Sequence, residues 1–175
     1  MRTWLTKLFW ALTAAYAAVV AWSALVLPER VPMHWSGTAG PDRWGSRTEA
    51  VIMLAALGVI IAAIFGTLLV VIPRSRSLTW VNIPNKDYWQ RPEHLARALD
   101  MVGTDLAIIG ALTMAMICAV PVSTVEAANR PDASLPGWTL PVIIGWLVLV
   151  TGYLIWMVAV RWRVPRDVPG PHATR

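Results

Sequence analysis

The chain has a single cysteine, Cys118, so no internal disulfide can form and nothing covalent staples its loops. Charged residues are scarce, at 14%, while apolar residues reach 57%, above the roughly 45–50% of an ordinary soluble domain. Only three histidines are present, with no HExxH, CxxC or paired-His spacing, so no sequence-coded metal site is expected and no cofactor is implied. The G-x-S-x-G elbow, the P-loop and the dinucleotide fingerprint are also missing. No internal repeat is visible, which removes the usual mark of a transporter built from repeated halves.

What is present is four apolar runs, at about 8–27, 50–72, 101–122 and 140–160. Runs of about 20 apolar residues are the mark of transmembrane segments. Only a helix satisfies its own backbone in lipid. The expectation is therefore an all-α, polytopic membrane protein: one four-helix domain over residues 1–163 and a disordered tail over 164–175. The first run reads as an uncleaved helix, because Trp22 and the bulky Leu25–Leu27 make a poor cleavage region. Cys118 falls inside the third run and reads as a small packing residue.

The net charge of +5 is explained by orientation. Arg2, Lys7, Arg74, Arg76, Lys86, Arg91, Arg97, Arg161, Arg163, Arg166 and Arg175 fall on one side of the spans. Arg30, Arg43, Arg47 and Arg130 fall on the other. The positive-inside rule then predicts both termini in the cytoplasm (N-in/C-in) of a bacterial cytoplasmic membrane, with the 27–47 loop outside. The basic residues flank helices instead of forming a patch, so nucleic acid is not an expected partner; the bilayer is. Trp4, Trp10, Trp22, Trp35, Trp44, Trp80, Trp89, Trp138 and Trp162 lie near span ends, where indole suits the interface.

Two loops hold most of the chemistry. The first is LPERVPMHWSGTAGPDRWGSR, from Leu27 to Arg47. Gly40-Pro41-Asp42-Arg43 predicts a tight turn, and Ser46-Arg47-Thr48-Glu49 a capping box opening helix two. His34 is the strongest candidate for function, with Glu29, Asp42 and Glu49 as oxygen partners. Ligand binding, catalysis with or without a metal, and structural hydrogen bonding all fit an isolated His of this kind. Gly58, Ala62 and Gly66, at four-residue spacing, offer a close-packing face, either within the chain or between copies.

The second loop is VNIPNKDYW, residues 81–89. Asn82 and Asn85 favour turns, Lys86 suits anionic headgroups and Trp89 an interface anchor; a partner-binding epitope is the alternative. Pro92 and Glu93 suit a first helical turn, after which Leu95, Leu99, Val102 and Leu106 form an apolar stripe. Asp105 is the one ionisable group about a turn into a span, expected to pair with Arg97 or Lys86 or to handle protons. The Ser123–Trp138 stretch reads as a polar, proline-bearing loop without a motif.

Together the two loops resemble the domain of unknown function of SdpI-type bacterial membrane proteins. The shared pattern is proline, spaced His-Trp, Gly-x-Pro-Asp-x-Trp-Gly, a span, and then Asn-Ile-Pro-Asn-Lys-x-Tyr-Trp. It covers residues 27–93. The resemblance implies an outer element of His34, Trp35, Gly40, Asp42, Trp44 and Gly45, and an inner element of Asn82, Pro84, Asn85, Lys86 and Trp89. It also implies roles in immunity to a secreted peptide toxin and in signal transduction through a membrane-held repressor. The later half of the chain carries no Gly-x-Arg-x-Pro motif followed by Trp, a motif the resemblance implies for SdpI proteins themselves. The leading expectation is a non-enzymatic receptor or immunity-like protein whose outer loop, 28–49, binds a peptide or envelope ligand. A cytoplasmic regulator or membrane partner would complete the circuit. Two alternatives stay open: a membrane-embedded enzyme using His34 with Asp42 or Glu29, and a structural subunit of a membrane complex.

Overall fold

The computed structural model describes residues 2–36 and 40–165; the 166–175 part of the expected tail lies outside the described residues. It is mostly helical. The elements run α1 (Arg2–Val26), β1 (Arg30–His34), β2 (Arg43–Ser46), α2 (Arg47–Val71), α3 (Lys86–Trp89), α4 (Pro92–Ile117), α5 (Ala119–Ala128) and α6 (Thr139–Trp156). A 3-10 turn at Ile72–Arg74 extends α2, and a π turn at Met157–Arg161 extends α6. Four helical stretches are long and apolar enough to cross a membrane: Arg2–Val26, Arg47–Arg74, Pro92–Ala128 and Thr139–Arg161.

Helix three starts at Pro92, the expected first turn, and enters the bundle directly; its other boundary needs correction. Its far end continues to Ala128, which turns the first residues of the expected Ser123–Trp138 loop into helix. The interruption at Cys118 has a simple cause. Pro121 has no N–H to offer the carbonyl of Ile117, and its ring crowds the preceding turn. The all-α expectation is also incomplete, because the first loop folds into an antiparallel hairpin, β1 against β2.

The core lies between α1, α2 and α4. Phe9, Tyr16, Leu54, Met114 and Ile117 are buried there. Gly58 lets α1 approach α2: a Cβ at Gly58 would collide with the ring of Tyr16, whose hydroxyl donates to the Leu54 carbonyl at 2.6 Å. The small-residue face of α2 is thus used within the chain. Gly66 likewise faces Trp10. A second cluster joins Leu78, Ile83, Trp89, Leu99, Val102 and Trp162 at one end of the bundle. A third, of Leu27, Val31, Ala50 and Val125, seats the hairpin at the other.

Helix α6 stands apart. None of its residues is buried, and Gly145 and Gly152 face open space. It is held at its ends. Trp138 Nε1 donates to Glu126 Oε2 at 2.9 Å, and Tyr153 Oη donates to Asp105 Oδ1 at 2.6 Å.

Candidate functional site

The hairpin is built by the rules its sequence announces. Pro32 is tolerated because a two-stranded sheet has only edge strands. The register pairs Arg30 with Ser46, Val31 with Gly45 and Pro32 with Trp44, then slips so that His34 faces Arg43. Gly40 takes a φ of 93°, a left-handed conformation that favours glycine. Ser46 caps α2 by accepting from Glu49 N–H at 3.1 Å. Only half of the expected capping box forms, since the Glu49 carboxylate turns instead to Arg43. Gly45 leaves room for it: a Cβ there would meet Glu49 Oε2 at 2.6 Å.

This geometry brings His34 and Asp42 together. His34 Nδ1 lies 2.7 Å from Asp42 Oδ1, and Asp42 N–H donates to the His34 carbonyl at 3.0 Å. The Ser36 hydroxyl, first, and the His34 imidazole, second, hold the Asp42 carboxyl below the usual carboxylate range. Glu29 is not part of this group; it pairs with Arg47 at 3.1 Å. Among the described residues no three metal-ligating side chains come together. His34 and Asp42 are both well exposed. Trp44 lies under the Arg30 guanidinium, 4.6 Å from it.

Trp35 links this surface to a cavity. Its indole N–H donates to the Ala133 carbonyl at 2.9 Å, which ties the hairpin to the connection between α5 and α6. Its ring borders a cleft of about 440 Å³ beneath the hairpin. Pro32 and Met33 roof that cleft, Met53, Leu54 and Leu57 of α2 form one wall, and Leu135 and Ile143 the other. The lining is apolar except for the hydroxyls of Ser123, Thr124 and Thr139. Thr139 Oγ1 is buried and meets no hydrogen-bond partner among the described residues. The sequence carries no signal for the hydroxyl residues on α5 and α6, because a polar, proline-bearing stretch without a motif reads as loop.

At the opposite end, the second motif does a different job. Asn85 adopts a left-handed φ of 54° and opens α3. Its Nδ2 donates to the Trp162 carbonyl at 2.9 Å, and Trp89 Nε1 donates to the same oxygen at 3.2 Å. Trp89 and Trp162 pack edge to face with ring centroids 5.5 Å apart. Both were expected at the lipid–water interface, and both are buried instead, Trp89 at 2% and Trp162 at 1% exposure. Lys86 donates to the Thr79 carbonyl at 3.2 Å, while Asn82 is exposed and Pro84 half-buried.

Asp105 belongs to this end. Its Oδ2 accepts from Trp162 Nε1 at 3.2 Å, and Arg161 Nε lies 2.7 Å from Oδ1. That Nε–H is not aligned as a hydrogen bond, so the contact is ionic. Pairing with Arg97 or Lys86 is not found: Arg97 lies over the Trp89 ring and Lys86 is turned to Thr79. The π turn is the reason. It widens the last turn of α6, Trp162 N–H reaching back to the Met157 carbonyl at 3.1 Å, and so changes the faces on which Arg161 and Trp162 emerge. No residue of the sequence announces that turn, which is why Tyr153, Arg161 and Trp162 were missed as partners of Asp105.

The sequence-derived residues thus divide into two sites at opposite ends of the bundle. A family model described as "Domain of unknown function (DUF1648)" matches residues 8–59, which span most of α1, the hairpin and the first half of α2. No curated protein and no solved structure matches the chain.

Proposed function

We propose that the chain is a non-enzymatic receptor-like membrane protein, and that the cleft beneath the hairpin takes the apolar part of a peptide or lipid-like envelope ligand. The observation that carries this reading is the cleft itself. It is apolar, of a size for one large side chain or a length of acyl chain, and edged by an unpartnered buried hydroxyl at Thr139. The exposed His34–Asp42 pair beside it would meet the polar part of the ligand. The distribution of Lys and Arg supports an N-in/C-in orientation in a bacterial cytoplasmic membrane, with the hairpin outside. The likeness of both loops to SdpI-type proteins supports an immunity or signalling role of the same kind. In that role the Asn82–Trp89 segment would be the cytoplasmic face offered to a regulator, and coupling would require two states of different ligand affinity.

The second reading, a membrane-embedded enzyme, draws on the 2.7 Å contact between His34 and Asp42, which orients an imidazole as a general base would need. The arrangement lacks the order of a nucleophilic triad. Among the described residues no hydroxyl is hydrogen-bonded to the imidazole, and the pair is open to solvent.

Native mass spectrometry of protein gently released from its own membranes separates the readings. The receptor reading expects a bound peptide or lipid of defined mass, displaced when Ile143→Trp fills the cleft from α6. A transition metal at one per chain, absent in His34→Ala, would instead establish the enzyme. Empty wild-type protein, or a bound mass indifferent to Ile143→Trp, would reject the cleft assignment.

A further inference from the structure

A second groove, remote from the hairpin, runs between the start of α1 and the end of α2. Its mouth is a cavity of about 490 Å³ rimmed by Arg2, Lys7 and Arg74, with the Thr3 hydroxyl beside them. The cavity continues into an apolar groove of about 380 Å³ along α2, and Trp10 and Val70 line both. The floor of the second groove is low because Gly66 has no side chain there and the Trp10 ring lies against it.

Charge and shape point the same way. Among the described residues no carboxylate lines either groove. Among the described residues, the one acidic group paired with any of the three cations is Asp100, 3.4 Å from Arg2 Nη1 and itself mostly exposed. Arg74 spends one nitrogen on the Val70 carbonyl, at 2.9 Å, which fixes its side chain at the rim and leaves the rest of its fork free for an anion. Three cations and a hydroxyl around a single mouth suit a phosphate. A free phosphate would leave the apolar continuation bare, whereas an acyl chain would fill it. Basic residues near a membrane surface contribute about 1 kcal/mol each toward anionic lipid.

We infer that this groove is a binding site for one anionic phospholipid, its phosphate held by Arg2, Lys7 and Arg74 and an acyl chain running past the Trp10 ring along Ala63 and Val70. The test uses the full chain in detergent, titrated with phosphatidylglycerol or phosphatidylcholine of the same acyl composition and read by native mass spectrometry. The wild type is expected to retain one phosphatidylglycerol about tenfold more strongly than phosphatidylcholine. Lys7→Gln with Arg74→Gln removes that preference without changing the thermal melt, since both side chains are exposed. Arg91→Gln with Arg163→Gln, which removes equal charge from the same end but outside the groove, leaves it intact. Equal retention of the two lipids by the wild type overturns the site without recourse to any variant. So does a preference that survives Lys7→Gln/Arg74→Gln, one equally lost in the control pair, or displacement of the lipid by millimolar inorganic phosphate, which would mark a free-anion site.

Discussion

Arg161 and Asp105 face each other 2.7 Å apart within the packed end of the bundle, their side chains 17% and 6% exposed. The pair is what fastens the otherwise unburied α6 to α4, with Tyr153 and Trp162 completing the shell of the carboxylate. A buried charge left alone is costly, whereas a pair replaced together by apolar groups can be nearly neutral. Asp105→Leu should therefore destabilise the protein by about 3–5 kcal/mol, and Asp105→Leu with Arg161→Leu should recover most of that loss. Thermal melts in one detergent measure both. Equal instability of the single and double variants would show that the ion pair does not hold the helix.

Asn85 closes the same end from the other side. Asn85→Gly keeps the left-handed backbone but loses the bond to the Trp162 carbonyl, so a loss of about 1 kcal/mol is expected. Asn85→Ala adds backbone strain and should cost more. Hydrogen exchange should rise at residues 157–162 in both. Exchange unchanged there would mean that the loop does not restrain the π turn.

Gly58 and Gly145 make a matched pair of probes on two apolar helices. A Cβ at Gly58 collides with Tyr16, while one at Gly145 meets nothing within 4 Å. Gly58→Ala should lower the melting temperature by pushing α1 off α2 and loosening the Tyr16–Leu54 bond. Gly145→Ala should leave it unchanged or raise it slightly, through better helix propensity. Destabilisation by Gly145→Ala would reveal a neighbour on the α6 face.

Asp42 gives the hairpin a pH dependence. Its carboxyl lies below its usual range because Ser36 and His34 bond to the ionised form. A depressed carboxylate pKa contributes stability above the unfolded value, about 3.9, and that contribution is lost as pH falls through the folded value. The turn contact should thus be intact at pH 5 and disappear only at more acidic pH. The Asp42 carboxyl carbon shift, followed by NMR in a nanodisc, should titrate below 3.9, and Asp42→Asn should abolish the dependence. A midpoint at or above that value would contradict the contact.

The helices and the α2 cap were legible because apolar runs, Ser46 and Pro92 act locally. The adjacency of His34 and Asp42 was only partly legible: the tight turn expected over Gly40–Arg43 is not found, since Arg43 already belongs to β2, and the pair meets next to the register slip of the hairpin. Partners set by tertiary packing were not. Asp105 finds Arg161 only through the π turn, and Trp89 and Trp162 bury each other although indoles near span ends ordinarily mark the interface. The cleft was invisible because its walls come from four elements distant in sequence, one of them the extension of helix three past the break at Cys118.

The most direct measurement is photocrosslinking in living cells with a photoreactive residue at Met53, inside the cleft, and at Leu149, on the open face of α6. A discrete envelope-derived adduct at Met53, absent at Leu149 and lost on Ile143→Trp, is the predicted result. Bulk phospholipid alone, in the same pattern at both positions, would contradict the claim that the cleft beneath the hairpin is a ligand site.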